Sequence, residues 1–78
     1  MTSLEKYNKV FAETLMVSEE GLSTLKYQDI ATWDSIGHMN LIAKLEDSFS
    51  IELDVDDIID FSSYEEGKKI LAKYEVTV

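Results

Sequence analysis

Apolar residues recur every three or four positions in three separate windows of this chain, and no proline interrupts any of them. This spacing places the apolar side chains of each window on one face of an α-helix. The sequence therefore predicts an all-α fold, a four-helix bundle with three longer helices, one short helix and a long loop between the first two helices. At 78 residues, the chain has room for one small domain, expected over 1–78.

The first and last windows begin at capping signals. Thr2 stands three residues before Glu5, which is a capping-box spacing, and it predicts a helix from about Ser3 to Met16. The apolar stripe of this helix is Leu4, Tyr7, Phe11 and Leu15. In the last window either Ser62 or Ser63 can cap a helix that ends near Tyr74. Its stripe is Tyr64, Gly67, Leu71 and Tyr74.

The middle of the chain predicts one long helix, one short helix and a long connection. The long helix runs from about Ser35 to Phe49, with the stripe Ile36, Met39, Ile42, Leu45 and Phe49. After it, Asp54 can cap one to two helical turns that carry Val55, Ile58 and Ile59 inward. The connection 17–33 is longer than compact domains usually tolerate without structure. We therefore expect it to be held by the apolar side chains Leu22, Leu25, Ile30 and Trp33.

Acidic residues are concentrated in one part of the chain, 34–66, which we call the acidic half. It contains ten Asp and Glu and one Lys, so it carries the whole net charge of −9. The charge therefore disfavours nucleic acids and anionic membrane surfaces as partners, and it favours basic protein surfaces. Mutual repulsion is expected to raise the pKa of some of these carboxyl groups in the folded state. No apolar run is long enough to span a membrane, which favours a cytoplasmic protein.

The segment 32–39 is where chemistry is most concentrated. Asp34 is a good N-cap, so Ser35 is expected to be the first residue of a helix, beside backbone N–H groups that have no partner in the helix. Such a position suits a phosphate group attached to the serine hydroxyl. The alternative is that the two residues only start the helix. The chain has no Cys, which excludes a catalytic thiol and a thiolate zinc site.

Several features together resemble an acyl carrier protein over essentially the whole chain. They are the string Asp34-Ser35-Ile36, the long loop before it, the helix ending 45–49 (LEDSF) and the following segment 51–53 (IEL). In that family the serine carries a 4′-phosphopantetheine arm, whose thiol holds the cargo as a thioester. The resemblance assigns this attachment to Ser35, between Asp34 and Ile36, and it explains how a chain without Cys could carry a thioester.

The resemblance also implies a carrier rather than an enzyme, with no metal site. The implied partners are a phosphopantetheinyl transferase, an acyl- or aminoacyl-loading ligase and acyl-transferring enzymes with basic surfaces, and the carrier itself is expected to be a monomer. These enzymes would dock on the acidic half beside the modified serine. The predicted docking residues are Glu46, Asp47, Asp56 and Asp57.

The sequence differs from that of housekeeping fatty-acid carriers after the serine, and these differences bear on the cargo. Those carriers have acids where this chain has Gly37 and Asn40, which suggests a specialised carrier in fatty-acid, polyketide or related lipid biosynthesis. Gly37 also makes a D-alanyl or aminoacyl carrier the alternative. An acyl cleft would be lined by the residues Ile36, Met39, Ala43, Ile58 and Ile59, unless these only pack in the core.

Three other functions compete with a carrier. Asp34, Ser35 and His38 have the residue types of a hydrolase triad, but Trp33 replaces the first Gly of the nucleophile elbow, so His38 is expected at the surface near the arm. A calcium-binding loop over 54–65 would have acids at its first, third and twelfth positions. Isoleucines stand at its fifth and sixth positions, however, where such a loop needs a ligand and a glycine. The three acids are Asp54, Asp56 and Glu65. The last alternative is a helical adaptor without a prosthetic group.

Overall fold

A computed structural model describes all 78 residues and contains four α-helices and no β-strand. The helices are α1 (Ser3–Leu15), α2 (Ser35–Phe49), α3 (Val55–Asp60) and α4 (Tyr64–Ala72), and a single 3₁₀ turn spans Leu22–Thr24. The predicted all-α fold with three longer helices and one short helix is confirmed. No helix combines the length and the apolar character needed to cross a membrane.

The helix starts lie where the capping signals predicted them. Thr2 and Glu5 form the complete capping box: Thr2 Oγ1 accepts a hydrogen bond from the Glu5 N–H, and the Thr2 N–H donates to Glu5 Oε1, both at 3.1 Å. Ser63, rather than Ser62, caps α4, because its Oγ accepts from the Glu66 N–H at 3.0 Å. The last helix ends two residues before the predicted position.

An aromatic cluster forms the centre of the core. The Phe11 ring lies 4.9 Å from Tyr7, 5.4 Å from Trp33, 5.3 Å from Tyr64 and 6.1 Å from Phe61, measured between ring centroids. The buried Tyr7 hydroxyl donates to the Tyr64 carbonyl oxygen at 2.6 Å, and burial raises its pKa. The cluster therefore joins α1, α4 and the segment before α2 with its polar atoms satisfied.

The connection 16–34 is held against this core rather than free. Leu22 and Trp33 are buried, and Leu25 and Ile30 are half-buried, so the four predicted anchors do pack against the bundle. Near its end the Thr32 hydroxyl donates to the carbonyl of Leu15, the last residue of α1, at 2.6 Å. This bond fixes the connection immediately before α2.

Several side chains predicted to face the core are instead exposed. Leu4 is 41% exposed, and Ile36 and Met39 in the first turns of α2 are 74% and 55% exposed. Val55 and Ile59 of α3 are each 70% exposed. Core packing is therefore wrong for these five residues, although for Ile36, Met39 and Ile59 the sequence left a position in a cleft as the other interpretation. The reason is that α1 covers α2 along the buried residues Leu41, Ile42 and Leu45, whereas an open cleft separates α3 from the start of α2.

Candidate functional site

Ser35 begins α2 as the sequence predicted. Asp34 is the N-cap residue, and its Oδ1 accepts a hydrogen bond from the Gly37 N–H at 2.8 Å. The Ser35 side chain is exposed, and the backbone N–H groups of Ser35 and Ile36 make no hydrogen bond within the protein. Two backbone donors therefore remain available beside the serine hydroxyl, at the positive end of the helix dipole.

Gly37 is required by close packing against the preceding segment. A Cβ atom at this position would lie 1.9 Å from the carbonyl oxygen of Thr32, far inside any tolerated contact. The glycine at position 37, where the sequence of housekeeping carriers has an acid, is thus explained by packing. This steric reason does not depend on the function of the chain.

A mostly apolar cleft of about 310 Å³ opens beside Ser35 between the start of α2 and α3. We call it the Ser35 cleft. Met39, Ile58 and Ile59 line it as predicted, whereas Ile36 does not, and Ala43 faces a groove beside α1. No Asp, Glu or Lys contributes to its walls. The complete lining is Tyr27, Ser35, His38, Met39, Ile58, Ile59, Phe61 and Ser62.

His38 joins α2 to α3 through two hydrogen bonds. The Trp33 indole N–H donates to His38 Nδ1 at 3.0 Å, so the ring proton resides on Nε2, which donates to the Ile58 carbonyl oxygen at 2.8 Å. His38 lies beside Ser35 in the wall of the cleft, as expected, but its ring is half-buried rather than at the surface, and both nitrogens are occupied. The side-chain partner of Ser35 Oγ is the Tyr27 hydroxyl, so Asp34, Ser35 and His38 form no triad.

Asp57 forms a cluster with the end of α4 instead of facing a partner. It is 5% exposed, and its two carboxylate oxygens accept hydrogen bonds from Lys73 Nζ and the Tyr74 hydroxyl. These two bonds, with that from Lys73 the stronger cause, lower the pKa of Asp57. The prediction that Asp57 contributes to docking is therefore wrong, since its carboxylate is already engaged.

The other acidic residues differ in how accessible they are. Glu46 is half-buried, and its Oε2 accepts from the Leu53 N–H at 2.9 Å, whereas Asp47 and Asp56 are exposed. Within the acidic half, the pKa of Asp57 is lowered rather than raised, because local donors outweigh repulsion at this group. Glu5, outside the acidic half, also has a lowered pKa because of its hydrogen bonds with Thr2.

The sequence missed three of the residues that line the cleft, which are Tyr27, Phe61 and Ser62. Tyr27 lies eight residues before Ser35, and contacts of its segment with the start of α4, including the bridge between Lys26 and Ser63, bring it to the site, so no local pattern could have indicated it. No group of three or more His, Asp or Glu side chains is arranged to hold a metal ion. The sequence matches no protein-family model, and neither a curated protein nor a solved structure matches the chain.

Proposed function

We propose that this chain is an acyl carrier protein that holds its cargo as a thioester on a 4′-phosphopantetheine arm attached to Ser35. The observation that carries the proposal is the position of one exposed serine hydroxyl, which is both the first residue of α2 and part of the mouth of an apolar cleft. A serine that only started a helix would need no cleft beside it.

The backbone around Ser35 suits the phosphate of such an arm. The free N–H groups of Ser35 and Ile36 and the helix dipole favour a negative charge at this position. The Asp34 carboxylate accepts a hydrogen bond from the Gly37 N–H and so fixes the first turn of the helix. The chain supplies the attachment point and the scaffold, and the prosthetic group supplies the thiol that a protein without Cys lacks.

The lining of the Ser35 cleft favours an apolar acyl cargo. Met39, Ile58 and Ile59 form its walls, and burying alkyl groups against them is favourable. An aminoacyl group would bring an ammonium charge to a cleft that has no carboxylate among its lining residues. The cleft therefore favours fatty-acid, polyketide or related lipid biosynthesis over a D-alanyl or aminoacyl pathway.

The proposed partners are a phosphopantetheinyl transferase and the enzymes that load and use the acyl group. Exposed acids of α2 and α3, Asp47 and Asp56, lie on the helices that border the cleft. A basic surface on a partner that reaches the arm would meet these charges. Exposed apolar side chains of the same two helices, Ile36 and Val55, add contact area on these helices.

Intact mass after incubation with coenzyme A and a broad-specificity phosphopantetheinyl transferase tests the proposal. The wild-type protein should gain one phosphopantetheine group, and Ser35→Ala should gain none while keeping its helical circular dichroism. Ser23→Ala, which removes an exposed hydroxyl far along the chain from α2, is the matched control and should be modified like the wild type. Unmodified wild-type protein, or a modified Ser35→Ala variant, would contradict the proposal, and the former would favour a helical adaptor.

A further inference from the structure

Tyr27 is the side chain that contacts the Ser35 hydroxyl. Its own hydroxyl lies 3.3 Å from Ser35 Oγ, and its ring forms part of the wall of the Ser35 cleft. At this distance the hydrogen bond is long for two hydroxyl groups. The two oxygens nevertheless meet at the mouth of the cleft, where an attached group would leave the protein.

The backbone of Tyr27 is fixed independently of Ser35. Its N–H donates to the Ser62 carbonyl oxygen at 2.8 Å, next to the bridge between Lys26 and Ser63. Gln28, the following residue, has a left-handed backbone with φ of 70°, and its N–H donates to the Trp33 carbonyl oxygen at 3.0 Å. A non-glycine residue adopts this conformation at some energetic cost, so the surrounding hydrogen bonds hold the turn in place.

The ring of Tyr27 is fixed as well. Its centroid lies 5.3 Å from that of His38 and 6.2 Å from that of Trp33, both in edge-on orientation. His38 and Trp33 are hydrogen-bonded to each other and so provide a rigid surface. The Tyr27 hydroxyl is therefore positioned by its own backbone and ring contacts, and it is already in place before anything binds to Ser35.

We infer that Tyr27 is a positioning residue that orients Ser35 Oγ for modification and then donates a hydrogen bond to the phosphate of the arm, an inference that rests on the proposed function. In the transfer reaction, Oγ forms a bond to the phosphorus that bears the pantetheine of coenzyme A. The bond from that phosphorus to the bridging oxygen breaks, and 3′-phosphoadenosine 5′-phosphate leaves with the electron pair. A base on the transferase takes the Ser35 proton.

The direction of the hydrogen bond follows from this chemistry. In the unmodified protein either hydroxyl can be the donor. After transfer Oγ is an ester oxygen without a proton, so Tyr27 alone can donate, to Oγ or to a charged oxygen of the phosphodiester. Hydrogen bonds to ionised acceptors are shorter and stronger than those between neutral groups, so the contact should tighten upon modification.

The test compares Tyr27→Phe with the wild type, because Phe keeps the ring contacts and removes only the hydroxyl. We expect kcat for phosphopantetheine transfer to fall about 2- to 10-fold, as the loss of one hydrogen bond implies, while the KM for the carrier is unchanged. The ³¹P resonance of the attached phosphodiester should shift. Tyr64→Phe, which removes a hydroxyl bonded to Asn8, is the matched control and should change neither quantity.

The outcomes separate this inference from the proposed function. A modified wild type with a slower Tyr27→Phe variant, a shifted ³¹P resonance and an unchanged unfolding midpoint supports the positioning role. Equal rates and equal ³¹P shifts in the two proteins overturn it and leave the carrier function standing. A wild type that gains no phosphopantetheine overturns the carrier function and this inference with it.

Discussion

Gly37 occupies a helical position at which any side chain would meet the Thr32 carbonyl oxygen. Helix propensity alone predicts that Gly37→Ala stabilises the protein by about 1 kcal/mol. The clash with backbone outweighs this gain, since the Thr32 hydroxyl also ties the segment to α1. We expect Gly37→Ala to lower the free energy of unfolding by about 1–3 kcal/mol, measured by denaturant titration.

Asn40→Ala is the matched control for Gly37→Ala, since Asn40 is exposed on the same helix. Its effect should stay within about 0.5 kcal/mol of the wild type. A Gly37→Ala variant as stable as Asn40→Ala would show that the first turn of α2 can move away from Thr32.

The candidate site was predictable only where it depends on neighbours in the chain. Asp34 and Ser35 follow local rules for helix starts, and the structure places both as expected. His38, in contrast, bonds to Trp33, five residues before it, and to the Ile58 carbonyl of α3, and the second of these bonds depends on tertiary packing. The same is true of Tyr27, so the sequence indicated the position of Ser35, the proposed attachment point, but not the residues that surround it.

At the scale of the helices, α3 depends most on its surroundings. Six residues form too short a helix to be stable alone. At its start, the Tyr74 hydroxyl accepts from the Asp54 N–H at 3.0 Å and donates to Asp57. Near its end, the Ile58 carbonyl accepts from His38. Because Ile58 also lines the Ser35 cleft, the same bonds that hold α3 fix the shape of the cleft.

The Asp57 bonds predict a specific pH dependence. Because Lys73 and Tyr74 lower the pKa of Asp57, the folded protein stabilises its ionised form relative to an unfolded value near 3.8. This contribution is present above the unfolded pKa and is lost as the pH falls through the lower folded pKa. In thermal unfolding, the Tm difference between wild type and Asp57→Asn should be largest above about pH 5 and should shrink toward pH 3.

Asp56→Asn provides the control for this titration. It removes one negative charge from an exposed position of the same helix, and the Asp56 carboxylate makes no hydrogen bond or ion pair in the structure. Its Tm should stay close to that of the wild type throughout the range. If Asp57→Asn behaves like Asp56→Asn at neutral pH, the cluster at the end of α4 contributes no net stability.

The sequence predicted where helices begin and end better than which side they bury. Start signals such as Thr2 and Ser63 act within one turn, so the bounds of α1 and the start of α4 were predictable. Burial depends on what covers each face. Val55 and Ile59 fit an inward stripe by spacing, yet Asp57 is the buried residue of α3, because Lys73 and Tyr74 neutralise it there.

At the scale of the whole molecule, the uneven distribution of charged residues matters more than the net charge. The longest extent of the protein is 29 Å, several times the Debye length of about 8 Å at physiological ionic strength. Exposed charges further apart than this are largely screened from one another, so a partner close to α2 and α3 senses mainly the charges of those helices. Lys69 and Lys73 of the remaining chain pair with Glu66 and Asp57 of the acidic half, which leaves exposed acids such as Asp47 and Asp56 for the proposed docking.

Charge reversal tests whether this side is the docking surface. Asp47→Lys combined with Asp56→Lys should slow phosphopantetheine transfer roughly 3- to 10-fold at low salt, and the difference should diminish as salt is added. Glu46 is left unchanged, because its carboxylate accepts a hydrogen bond from the Leu53 N–H.

Glu13→Lys combined with Glu19→Lys makes the same change in net charge on exposed residues outside the acidic half and serves as the control. Equal transfer rates in the two double variants would show that net charge, rather than its location, governs encounter with the transferase.

The hydrogen bond between Trp33 and His38 has a consequence for measuring the tryptophan fluorescence of the protein. Trp33 is the one tryptophan of the chain, it is fully buried, and its indole stacks against the imidazole at 6.3 Å between centroids. Because the imidazole also donates to the Ile58 carbonyl of α3, a movement of that helix that disturbs this bond should change the surroundings of the indole. The intrinsic fluorescence of Trp33 should therefore report changes at the Ser35 cleft, from a single emitter and without any engineered probe.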